Sequence, residues 1–67
     1  MKLTHAEIAL ELRAIALLVP DMLVDPETFL HVFDVVGTKL LSRVAVADQE
    51  TVRAALSDIV DRSGYRR

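Results

Sequence analysis

The sequence predicts a compact all-α bundle of three main helices. Apolar residues recur at helical spacing in three segments, and helix-start or helix-stop residues border each segment. The only short β-like run, residues 44–47, fits a turn between helices better than a strand. The chain of 67 residues has no cysteine and predicts a single domain over 1–67. A domain of this size is close to the limit at which a core alone gives stability.

The first helix is predicted over residues 5–19. Thr4 and Glu7 have the spacing of a capping box, in which each side chain accepts a hydrogen bond from the other residue's backbone N–H. Pro20 is expected to end the helix, because proline disfavours helical geometry in the residue before it. Residues 20–24 then form the connection, with room for one short extra helical turn.

The second helix is predicted over residues 26–44. Asp25 is suited to the N-cap, and Pro26 to the first helical position. Gly37 lies beside the apolar stripe, where it either lets another backbone approach closely, which is the commoner reason, or marks a kink. The stripe consists of Phe29, Val32, Phe33, Val36, Leu40 and Val44, and is widened by Leu30 and Leu41.

The third helix is predicted over residues 48–63, from Asp48 to a stop at Gly64. Its apolar stripe is narrow and its opposite side is polar, so one partner surface is enough to cover it. Asp58 and Arg62 are spaced to form an i,i+4 ion pair. The last three residues, 65–67, are expected to be frayed.

The first helix is unusual because it has two apolar faces. With about 100° per residue, one stripe runs along its inner side and a second along the opposite side. The inner stripe holds Ile8, Leu12, Ile15 and Val19. The outer stripe holds Ala6, Leu10, Ala14 and Leu17. Since a short chain can easily cover only one of these faces, the outer stripe predicts association with another copy or another protein, and we expect a homodimer.

Charge is unevenly distributed along the chain. Residues 1–34 carry six acidic and two basic residues, whereas residues 35–67 carry four acidic and six basic residues. An overall net charge of −2 does not favour non-specific nucleic-acid binding, which depends on neutralising phosphates. If a partner protein is guided by charge, the predicted contact residues are Glu7, Glu11, Glu27 and Asp34.

The sequence offers no convincing catalytic or metal-binding constellation. Glu27, His31 and Asp34 share one face of the second helix, but such spacing is common on solvated helices and a metal site needs more ligands. There is no cysteine and no serine or threonine in a recognisable nucleophile turn. We therefore expect no metal, no cofactor and no enzymatic activity.

These observations favour a small cytoplasmic protein without an export signal or a membrane-spanning segment. Its expected role is that of a non-enzymatic protein–protein interaction module, a regulator or inhibitor that occupies a partner's surface. Small inhibitors from phages or mobile elements, of the anti-CRISPR type, are one class of proteins that have this size and no recognisable catalytic groups.

The alternative is a small dimeric DNA-binding regulator, because the second and third helices loosely resemble a helix-turn-helix. Its apolar skeleton would be Leu40, Val44, Val46, Val52 and Leu56. However, Ala45 stands where that motif usually has glycine, and the spacing to Val52 is one residue too long. Asp48 and Glu50 also place negative charge where contacts to DNA should begin.

Overall fold

A computed structural model describes residues 2–65 and confirms the bundle of three helices. The helices are α1, His5–Met22; α2, Pro26–Leu41; and α3, Val46–Arg62. Each helix packs against both others. The backbone N–H of Leu3 donates to the carbonyl oxygen of Arg43 at 2.9 Å, so the start of α1 lies beside the end of α2. These two helices therefore run antiparallel.

The start of α1 is the capping box that the sequence predicts. The backbone N–H of Glu7 donates to the Thr4 hydroxyl oxygen at 3.2 Å. In return, the backbone N–H of Thr4 donates to the Glu7 carboxylate at 2.9 Å. Two backbone donors that the helix leaves without partners are thereby satisfied.

The predicted end of the first helix is wrong, because α1 continues through Pro20 to Met22. Proline at this position removes one backbone hydrogen bond, the one that would reach the carbonyl of Ala16. The next hydrogen bonds are preserved: the N–H of Leu23 donates to the carbonyl of Val19 at 3.0 Å. Burial of Val19 and partial burial of Met22 and Leu23 favour this extra turn, which includes part of the predicted separate turn at 20–24.

The junction between α2 and α3 also differs from the prediction. Helix α2 ends at Leu41 rather than at residue 44, and α3 begins at Val46 rather than at residue 48. Val44 leaves the helix and is fully buried, because the turn directs this side chain into the core. The Ser42 hydroxyl donates to the carbonyl of Lys39 at 2.7 Å and helps to close the last turn of α2.

The core lies along the line where the three helices meet. Gly37 permits the close approach predicted for it: a Cβ there would lie 3.3 Å from Cδ1 of Leu56. Val32 and Leu30, assigned to the apolar stripe of the second helix, are instead exposed at the edges of α2. The buried apolar side chains are Ile8, Ile15, Val19, Phe29, Phe33, Leu40, Val44, Val52, Leu56 and Val60.

The end of the described chain closes over this core. Gly64 has φ +81°, the left-handed conformation expected for a helix-terminating glycine. The ring of Tyr65 lies 4.8 Å from the ring of Phe29 between centroids and is partly buried. Tyr65 is thus packed rather than free, in contrast to the frayed end predicted for 65–67. Residues 66 and 67 lie outside the described part of the chain.

Candidate functional site

The candidate site is the outward face of α1, called here the α1 outer face: Ala6, Leu10, Ala14 and Leu17. All four side chains are exposed. The two leucines are 67% and 71% exposed, respectively. The α-helical step turns Leu17 about 180° away from the buried Ile8, so the fold uses the opposite stripe of α1 for its core. The structure therefore places the four predicted self-association residues together on an uncovered face.

Large exposed apolar side chains are concentrated on α1 and α2. Within residues 2–65, α3 contributes only Val46, at its first position. Helices α1 and α2 contribute the rest, apart from Val24 in the connection between them: Leu10, Leu17, Leu18, Leu30, Val32 and Val35. Because single exposed apolar residues are common, the significant feature is their accumulation on two adjacent helices.

Most of these residues lie on the side of the molecule that α3 does not cover. The flank of α1 that lines grooves with α3 includes Ala9, Ala16 and Pro20. The opposite flank of α1 faces α2, as shown by the distance of 3.6 Å between the Arg43 guanidinium and the Glu11 carboxylate. The helical step places Leu18 on this second flank.

Helix α2 has a corresponding division between its two flanks. Asp34, Thr38 and Leu41 line a groove with α3. The helical step places Val32 and Val35 on the other flank, towards α1. We call the surface that carries Leu10, Leu17, Leu18, Val32 and Val35 the α1/α2 side. It extends the α1 outer face onto the neighbouring helix.

The four acids predicted to meet a partner do not form one continuous patch. Glu7 and Glu11 lie in the N-terminal half of α1, near Arg43. Glu27 is in the first turn of α2, roughly 20 Å along the helix axis from the end beside Arg43. Asp34 lines the groove between α2 and α3, which Arg53 also lines. The acidic residues are thus divided between the two ends of the molecule and two of its sides.

Two of these acids have structural contacts of their own. The hydrogen bond from the Thr4 backbone N–H lowers the pKa of the Glu7 carboxyl from its usual value, with further lowering by the Thr4 side chain and by Arg43. Desolvation acts in the opposite direction and is weaker than the two hydrogen-bond effects of Thr4. Glu11 forms the ion pair with Arg43. Both carboxylates therefore help to hold α1 in place.

A long-range side-chain pair that the sequence did not reveal joins the starts of α1 and α3. Nε2 of His5 lies 3.2 Å from an Asp48 carboxylate oxygen. These residues are 43 positions apart, and no local pattern links them. Glu27, His31 and Asp34 are all exposed on α2. Among residues 2–65, no group of three or more histidine, aspartate and glutamate side chains is placed to hold a metal ion.

Helix α3 gives little support to the DNA-binding alternative. Val46, assigned to the apolar skeleton of that motif, is 83% exposed. Helix α3 carries four acidic residues and two arginines. A recognition helix with net negative charge would repel the phosphates that supply most of the affinity for DNA.

Comparisons with protein-family models, curated proteins and solved structures find no match to this chain. Within residues 2–65, no helix has both the length and the apolar character required to cross a bilayer.

Proposed function

We propose that this protein is a non-enzymatic interaction module that self-associates through α1 and regulates or inhibits a partner protein by occupying its surface. The observation that supports the proposal is the exposure of Leu10 and Leu17 on the α1 outer face. Removing such side chains from water contributes about 1.5–3 kcal/mol each. A second surface is needed to gain this free energy, because the core of the same chain lies on the other side of α1.

The rest of the molecule is consistent with a role in binding. Within residues 2–65, the titratable side chains contribute to helix caps, to ion pairs at the surface or to the solvated exterior. Glu27 and Asp34 lie two helical turns apart on α2 and outside the α1 outer face. In the proposed function, these two acids remain available to a partner after α1 is covered.

Self-association can be tested with a Leu10→Asp, Leu17→Asp double variant. Placing two carboxylates in an apolar contact removes the favourable burial and adds a desolvation cost. We expect wild-type protein to sediment as a dimer at high micromolar concentration, and the double variant as a monomer with unchanged helical circular dichroism.

A matched control is a Val46→Asp, Ala54→Asp double variant. Both positions are exposed on α3, and the change in charge is the same. The control should retain the wild-type sedimentation behaviour. A monomeric wild type, or an equal loss of association in both double variants, would contradict the role proposed for the α1 outer face.

A further inference from the structure

We infer that the occupant of the α1/α2 side is a second copy of this chain, arranged so that α1 of one copy packs against α2 of the other. This inference rests on the proposed self-association and specifies its geometry. The result is an antiparallel four-helix core made from α1 and α2 of both copies, with each α3 on the outside. The two-fold axis runs parallel to the helices.

The available area requires that α2 take part in the contact. A contact restricted to α1, whose 18 residues span about 27 Å, offers roughly 300 Å² per copy. An area of this size is typical of contacts between molecules in a crystal rather than of specific interfaces. Adding the adjacent α2, whose 16 residues span about 24 Å, raises this to about 560 Å² per copy. Two such sides approach the area of roughly 1,200 Å² at which specific interfaces begin.

The apolar side chains occupy matching heights on the two helices. The backbone hydrogen bond between Leu3 and Arg43 makes these two residues level, while the Arg43 side chain reaches further along α1 to Glu11. Seven residues further along the chain from Leu3, about 10 Å, is Leu10. The same distance back along α2 leads to the residue after Val35. A partner's α2 laid against α1 at equal height therefore brings Val35 close to Leu10.

Charge complementarity distinguishes this arrangement from its main alternative. At one end of the α1/α2 side, α1 carries Glu7 and Glu11, while Lys39 lies in the last turn of α2 and Arg43 in the turn that follows it. With the two-fold axis parallel to the helices, these acidic and basic ends alternate around the four-helix core. Alternating opposite charges steer association and stabilise the correct register.

The alternative pairs α1 with α1 of the second copy in antiparallel orientation. That arrangement places the acidic start of α1 opposite Asp21 near its end, and it separates the acids from Lys39. Like charges at matched positions are unfavourable. The charge pattern thus favours α1 against α2.

A charge-swap experiment tests this geometry directly. Glu11→Lys and Lys39→Glu each create like-charge contacts in a homodimer with α1 against α2. We expect the self-association constant of each variant to fall about tenfold or more. An isotopically labelled Glu11→Lys protein mixed with Lys39→Glu protein should form mixed dimers at near wild-type affinity, because both cross-copy contacts are then opposite in charge.

The matched control replaces Lys39→Glu by Arg53→Glu. Arg53 lies in the groove between α2 and α3, outside the α1/α2 side. The mixed dimer of Arg53→Glu and Glu11→Lys should stay weaker than the mixed dimer of Lys39→Glu and Glu11→Lys, because the Glu11→Lys side chain still faces Lys39 of the second copy. If the Lys39→Glu mixture associates no more strongly than the separate variants, the inferred geometry is overturned.

Crosslinking provides a second measurement that does not depend on charge. The chain contains no native cysteine, so introduced thiols are the only reactive ones. With a short bismaleimide, we expect crosslinks between Leu10→Cys and Val35→Cys proteins. Efficient crosslinks between Leu10→Cys and Leu17→Cys proteins instead would establish α1 against α1, overturning the geometry while self-association stands. A wild type that remains monomeric at high micromolar concentration would overturn both.

Discussion

At the scale of single residues, the beginning of α1 shows how local chemistry fixes a structural element. Thr4 and Glu7 satisfy each other's backbone N–H groups. The ionised form of Glu7 accepts the stronger hydrogen bond, which is why its pKa is lowered. Folding therefore depends on the charge of a surface carboxylate.

This coupling predicts an acid-dependent loss of stability that a Glu7→Gln variant lacks. Since the folded-state pKa is below the usual value of 4.5, the contribution of Glu7 is complete above that value. It declines as the pH falls through the folded-state pKa. Wild type should therefore be more stable than Glu7→Gln at pH 7, and the difference should decrease towards pH 3.

The measurement is the urea midpoint of both proteins across that pH range, followed by circular dichroism. The glutamine keeps the capping geometry, so the comparison isolates the charge. Parallel pH profiles for the two proteins would show that Glu7 has no preferential interaction in the folded state.

The capping box could be predicted from the sequence because its partners are three residues apart. The pairs His5–Asp48 and Glu11–Arg43 could not, because their members meet only when the helices pack. The same applies to Tyr65, whose contact with Phe29 replaces the predicted free end.

At the scale of the helices, local signals predict the number of elements better than their ends. Pro20 has the sequence pattern of a helix stop, yet α1 includes it. The partial burial of Met22 and Leu23, which pack against the core when the helix continues past Pro20, offsets the loss of one backbone hydrogen bond. Before α3, the side chain of Val44 is buried in the core, and the helix begins two residues later, at Val46.

Replacement of Pro20 by alanine tests this explanation. The variant regains the backbone donor for the carbonyl of Ala16, although its unfolded chain is more flexible. We expect the free energy of unfolding to rise by about 1–2 kcal/mol, measured by urea denaturation. A decrease would mean that the proline ring itself, which lines the groove with α3, makes the larger contribution.

At the scale of the whole molecule, a small core is combined with an uncovered apolar side. Domains near this size gain limited stability from burial, and association offers further burial without lengthening the chain. Association that buries the exposed leucines of α1 therefore stabilises the fold and forms the proposed interface in the same step.

Self-association predicts a melting temperature that depends on protein concentration. Because binding between folded copies stabilises them by mass action, a hundredfold increase in concentration should raise the melting temperature by roughly 5–10 °C. Scanning calorimetry at several concentrations provides the measurement. The Leu10→Asp, Leu17→Asp variant should melt at the same temperature throughout, whereas a concentration-independent wild type would argue for a monomer.

Short-range spacing is enough to predict three helices, the capping box and the second apolar stripe of α1. The exposure of Val32, the burial of Val44 in a turn and the position of Leu18 on the same side as Val35 follow only from the packed arrangement of the helices. These properties depend on how each helix is rotated towards its neighbours. That rotation is set by packing between distant segments, which local periodicity does not encode.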